Sequence, residues 1–202
     1  LMVPLTFFLA HGFSVKTLAA VVGTALALAL TVGLGLAAIS LARLSGFGSE
    51  DAMLLQALSP GVYDLRNLLL AGMVVGALGV LDDVTVSQAA IVQQLAEANP
   101  QLHMRQLYTR AMRVGQDHIA SVVNTLALVY AGAALPLLLL LRTSDLPLRY
   151  LLSQEIIAEE IVRAAVASIG LMAAVPLTTL LAAGAEHLRL RFASVAEDAQ
   201  PE

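Results

Sequence analysis

Residues 17–41 run for roughly 25 positions without one charged side chain, enough for a helix to cross a hydrocarbon core with some tilt. In lipid the backbone must satisfy its own hydrogen bonds, so such a run is a helix rather than an open strand. The whole chain points the same way. Of its 202 residues, 58% are hydrophobic and 13% charged, whereas soluble domains carry about a quarter charged. A chain this small cannot bury that much apolar surface, so the excess faces lipid. A net charge of −4 without a basic run argues against a nucleic-acid surface. With no cysteine, disulfides, thiolate metal sites and cysteine nucleophiles are excluded.

The fold class expected is therefore all-α and polytopic, with about four full transmembrane helices. Residues 1–10 are too short to cross and lack a cationic leader, so they read as the tail of a truncated helix from a longer protein. Residues 17–41 form the first full span. Turn signals at Ser45-Gly46, Gly48-Ser49 and Pro60-Gly61 mark a polar connector. Residues 65–81 form a second, short span. Only about 14 residues separate Asn67 from Asp82, near 21 Å of helix, against a core of about 30 Å.

Asp82-Asp83 then interrupts the run, and 84–98 resumes with helical character. Asn99-Pro100 predicts a helix restart, with Asn as cap and Pro in the first turn. Residues 101–118 are amphipathic, Met104, Leu107, Tyr108, Ala111 and Met112 tracing the apolar stripe. Such a helix rests in the headgroup plane or packs on a partner helix. The segment 84–118 is thus read as a partly interfacial, cytoplasmic connector. Residues 119–141 form the third span, 142–152 a loop, and 153–186 the fourth span. The transmembrane domain covers 1–186, and 187–202 is a polar, frayed tail. The larger set of basic loop residues (Lys16, Arg105, Arg110, Arg113, Arg189, Arg191) places the 99–117 connector and the C-terminus in the cytoplasm.

Small residues recur at Gly72, Gly76 and Gly79, spacing that lets helix backbones approach closely in lipid. Gly33-Leu-Gly35 superficially matches a dinucleotide fingerprint, but it lies inside a span instead of between a strand and a helix, so helix contact explains it better. Asp82-Asp83 has two readings. The pair caps the 84–98 helix, favoured by its macrodipole, or one carboxylate lies within the membrane and lines a cavity, relay or ion site. Asn124, inside the third span, either bonds another helix or contacts a solute. Glu159, Glu160 and Arg163 precede the apolar part of the last span. Glu159 and Arg163, four apart in the favoured order, make an interfacial ion pair or a paired charge in a pathway. Pro136 and Pro176 each sit where a helix kinks and frees a carbonyl.

Catalytic signals are weak. Four His residues show no paired metal-ligand spacing. G-x-S-x-G and H-E-x-x-H motifs are absent. Adjacent acids on a helix diverge by about 100°, so Asp82 and Asp83 do not make an aspartic dyad by themselves. An enzyme is not expected, nor a cofactor, nor a bound metal.

The order of segments adds a resemblance. Gly76-Ala-Leu-Gly-Val-Leu-Asp-Asp-Val-Thr-Val-Ser87 is followed by Asn99-Pro100 and the 105–116 connector. Asp117-His118 and Ser121-Val-Val-Asn124 come next, then Glu159-Glu-Ile-Val-Arg163 and Val175-Pro-Leu-Thr178. This resembles the C-terminal part of the YibE/F-like family of bacterial multi-pass membrane proteins. The resemblance implies a prokaryotic cell-membrane protein and no particular reaction.

The leading expectation is a transporter or permease-like pore whose pathway uses Asp82, Asp83, Asn124, Glu159, Glu160 and Arg163. The alternative is a non-catalytic scaffold or assembly subunit, with Gly72, Gly76 and Gly79 as helix contacts and Arg105, Arg110 and Arg113 holding a partner or anionic lipid. The bilayer is the expected surrounding. A second copy of the chain or another membrane subunit is the kind of protein partner such spans fit.

Overall fold

The computed structural model describes residues 14–143 and 147–198. Its elements are α1 (Val15–Leu41), α2 (Glu50–Leu58), α3 (Leu65–Ala98), α4 (Met104–Ala133), α5 (Leu135–Thr143), α6 (Leu148–Leu152) and α7 (Glu155–Asp198), with no strand among the described residues. The expected remnant at 1–10 lies outside them. Three helices are long and apolar enough to cross a membrane, and a fourth span results if α4 and α5, bent by 55° at their junction, count as one. Large apolar side chains stand exposed along them, as lipid-facing residues do: Val75 at 71%, Leu128 and Leu140 at 66%.

Four sequence expectations change. First, α3 does not stop at Asp82-Asp83; it is one helix of 34 residues, about 51 Å long. Both acids lie mid-helix, so the capping reading is wrong. An Asp costs a helix interior only about 0.7 kcal/mol, and the buried run Leu81, Val84, Thr85 and Gln88 carries the helix past that cost. Second, Asn99-Pro100 does not start a helix. Asn99 instead turns the chain, its Oδ1 accepting from the Gln101 N–H over 3.2 Å. The helix begins at Met104, where the Gln106 side chain reaches back to the His103 N–H, half of a capping box.

Third, the amphipathic connector and the third span are one helix, α4, and it breaks at Ala134. Pro136 is the reason: it has no N–H for the Gly132 carbonyl four residues back, and its ring crowds that carbonyl. Pro176, in contrast, is accommodated inside α7. Fourth, the expected frayed tail is helical through Asp198.

The helices contribute to two compact units. The first takes residues up to Leu28, Leu78–Ala120 and Leu171 onward. Its core joins Ala19 and Ala20 of α1, Ala89 and Val92 of α3, Leu107 and Ala111 of α4, and Ala182 and Ala183 of α7. The apolar stripe of α4 therefore packs against its own chain. Arg105, Arg110 and Arg113 stay exposed.

The second unit comprises Ala29–Ala77 and Ser121–Gly170. Its core gathers Ile39, Leu44, Leu69 and Met73. The connector after α1 holds the short α2, capped by Ser49, whose side chain accepts from the Ala52 N–H. Gly46 takes φ +83°, a left-handed turn that also brings its backbone onto the Leu65 carbonyl, where any Cβ would collide.

Candidate functional site

In the second unit, the first turns of α7 hold the connector with two carboxylates. Glu155 accepts from the backbone N–H of Ser45, from that of Gly46 over 2.9 Å, and from the Ser45 hydroxyl over 2.7 Å. One turn on, Glu159 Oε1 accepts from the Gly48 N–H over 3.1 Å. Gly48 is required for that approach, since a Cβ there would stand 2.6 Å from the Glu159 carboxyl carbon. Glu159 is 5% exposed. A buried carboxylate needs such donors, because burial strips its water.

Beside this clamp lies an open cavity of about 350 Å³, lined by Ser49, Leu65, Leu69, Gly72, Leu137 and Ile156, with Glu159, Glu160 and Arg163 on its wall. Glu160 Oε1 is 3.5 Å from Arg163 Nε. The expected partner of Arg163, Glu159, is committed to Gly48, so the ion pair forms one residue closer along the helix. Nε of Arg163 is buried and makes no hydrogen bond among the described residues. The guanidinium lies against α3 where Gly72 lacks a side chain, with Nη1 3.7 Å from where a Cβ would be.

In the first unit, polar side chains meet between helices. The hydroxyls of Thr24 (α1) and Thr85 (α3) are 2.5 Å apart, and Thr85 also reaches the Asp82 carbonyl over 3.1 Å. One turn along, Gln88 donates to Thr179 Oγ1 of α7 over 2.7 Å and to the Ala111 carbonyl of α4 over 3.1 Å. Thr24, Thr85, Gln88, Thr178 and Thr179 are all buried. Gly115 makes room for Gln88, and Gly23 for Thr178. Two buried atoms of this unit lack a hydrogen-bond partner among the described residues: Thr178 Oγ1 and Asp82 Oδ1, the latter on a partly buried side chain.

The structure thus brings Glu159, Glu160, Arg163 and Gly72 to one cavity. Asp82 borders the polar seam of the other unit, and its neighbour Asp83 is exposed. Asn124 is exposed on α4 without a hydrogen bond among the described residues, so it does not join either group. Gly76 and Gly79 meet no atom within 4 Å of an added Cβ; among the described helical glycines the close approaches are at Gly23, Gly35, Gly115 and Gly170 instead.

Sequence reasoning missed Glu155, Gln88 and the threonines of α1. A signal for the last was present: Thr17, Thr24 and Thr31 recur at seven residues, which keeps them on one helix face, and all three are buried. Glu186, 2% exposed and 3.2 Å from Arg189 Nη1, was also missed, hidden in what read as the end of the span.

Long apolar helices with exposed aliphatic faces and buried polar seams define an α-helical membrane protein of the multi-pass kind. The family model for YibE/F-like proteins matches residues 1–186, and the chain belongs to that family. No curated protein and no solved structure matches it.

Proposed function

We propose that this protein is a transporter or permease-like pore of a bacterial cell membrane, with its C-terminus in the cytoplasm and no catalytic step. The observation that supports it is a pair of polar atoms on spanning helices of the first unit that are buried yet make no hydrogen bond among the described residues: Asp82 Oδ1 and Thr178 Oγ1. In a membrane interior such groups cost several kcal/mol each, and polar residues kept there mark solute or ion pathways. A permeating solute or its water supplies the missing partners. In this reading Asp82, with Asp83 beside it, titrates or holds a cation. Glu160 and Arg163 form a charge pair that opens to a passing solute.

The test is flux into proteoliposomes, with a pH-sensitive dye inside and a panel of small solutes and cations outside. Asp82→Asn combined with Asp83→Asn is expected to reduce flux at least tenfold. Flux unchanged by the double substitution, for every solute transported, overturns the assignment of this pair.

A further inference from the structure

The cavity beside the Glu155 and Glu159 clamp has a charge pattern that selects its occupant. Glu159 is held by Gly48 and cannot turn to a ligand without releasing the connector. Glu160 and Arg163 are different. They approach to 3.5 Å, but neither makes a hydrogen bond among the described residues, and both side chains remain about a third exposed, at 37% and 30%. A guanidinium has five donors arranged for bidentate contact with an oxyanion, and this one uses none of them.

A simple anion fits poorly, because two carboxylates stand beside Arg163. A simple cation would share the site with the guanidinium. A zwitterion fits both groups, and in an α-amino acid the ammonium and carboxylate flank one carbon, as close together as Glu160 and Arg163. Apart from Ser49, whose hydroxyl caps α2, the rest of the wall is apolar, with Leu65, Leu69, Leu137 and Ile156 supplying its bulk. The volume, about 350 Å³, lies at the lower end of small-molecule pockets, roughly 300–1,000 Å³.

We propose that this cavity binds an α-amino acid with an aliphatic side chain, its carboxylate on Arg163, its ammonium on Glu160 and its side chain against the leucines. Gly72 leaves that side of the guanidinium uncovered, since even a Cβ there would only touch Nη1, at 3.7 Å. The proposal rests on the transport reading for the ligand's fate, while binding is measured separately.

The experiment uses the purified protein in lipid nanodiscs and three probes by calorimetry: L-leucine, 3-methylbutylamine, which lacks the carboxylate, and 4-methylpentanoate, which lacks the ammonium. L-Leucine is expected to bind about tenfold or more tightly than either analogue, the scale of one charge-assisted contact. Arg163→Gln is expected to bring leucine down to the affinity of the amine, and Glu160→Gln to that of the acid. The comparison in the unsubstituted protein stands even if a variant misfolds. No leucine binding, or leucine no tighter than both analogues, overturns the proposal. Labelled leucine uptake into proteoliposomes separates the two ideas. Binding without uptake keeps the site and counts against transport of this solute. Uptake of other solutes with no leucine binding keeps transport and removes the site.

Discussion

Gln88 of α3 donates its amide to the hydroxyl of Thr179 on α7 over 2.7 Å, and the same amide reaches the Ala111 carbonyl on α4 over 3.1 Å. One side chain, 1% exposed, thereby ties three helices of the first unit. Interhelical hydrogen bonds within membranes average about 0.6 kcal/mol, with the largest near 1.7. Gln88→Leu, which loses both, is expected to lower the unfolding free energy by about 1–2 kcal/mol. Denaturation in mixed micelles reads this, and an unchanged midpoint would show that the bonds are replaced by water.

Gly23 and Gly76 make opposite predictions. A Cβ at Gly23 would stand 3.1 Å from Thr178 Cβ, whereas one at Gly76 meets nothing within 4 Å. Gly23→Ala is therefore expected to cost about 1–3 kcal/mol through overpacking, with partial recovery when Thr178→Ala is added. Gly76→Ala is expected to be neutral or stabilising by up to about 1 kcal/mol, the gain in helix propensity. The same unfolding measurement checks both. A loss at Gly76 equal to that at Gly23 would mean that a second protein covers that face.

The Glu155 clamp should be visible in hydrogen exchange. Its carboxylate takes the N–H groups of Ser45 and Gly46. Glu155→Gln replaces charge-assisted bonds with weaker neutral ones. Exchange at those two amides is expected to quicken by about tenfold, with α2 following because its cap, Ser49, lies on the same connector. Unaltered exchange would assign the connector's order to Gly46 and its contact with Leu65 instead.

Arg105, Arg110 and Arg113 lie exposed along α4, opposite its buried Leu107 and Ala111. Basic residues at a membrane surface gain about 1 kcal/mol each from anionic lipid. Substituting all three with Gln is expected to abolish the extra thermal stability that phosphatidylglycerol confers over phosphatidylcholine. Equal lipid dependence in the variant, together with loss of a co-purifying protein, would favour the scaffold reading.

Much of this protein is legible without coordinates. Uncharged apolar runs become spanning helices because lipid offers no alternative partner for the backbone. Glu159, Glu160 and Arg163 could be grouped in advance because spacings of three and four share a helix face. Pro136 was visible as a break for a reason local to its ring. Other features depend on residues remote in sequence. Glu155 matters because Ser45 and Gly46 arrive beside it from more than a hundred positions away. Asp82-Asp83 looked like a helix start because local signals count two charges against continuation, and the burial of Val84, Thr85 and Gln88 against other helices outweighs them.

The sequence alone therefore determined that the chain is helical, membrane-embedded and a YibE/F-like protein, since those follow from hydropathy, period and the order of motifs along one strand of chain. Only the tertiary structure decided which polar groups are satisfied and which are left facing a cavity. Hydrogen bonding and burial are properties of neighbours, and at Gln88, Glu155 and Arg163 the decisive neighbours come from helices or loops far away in the sequence.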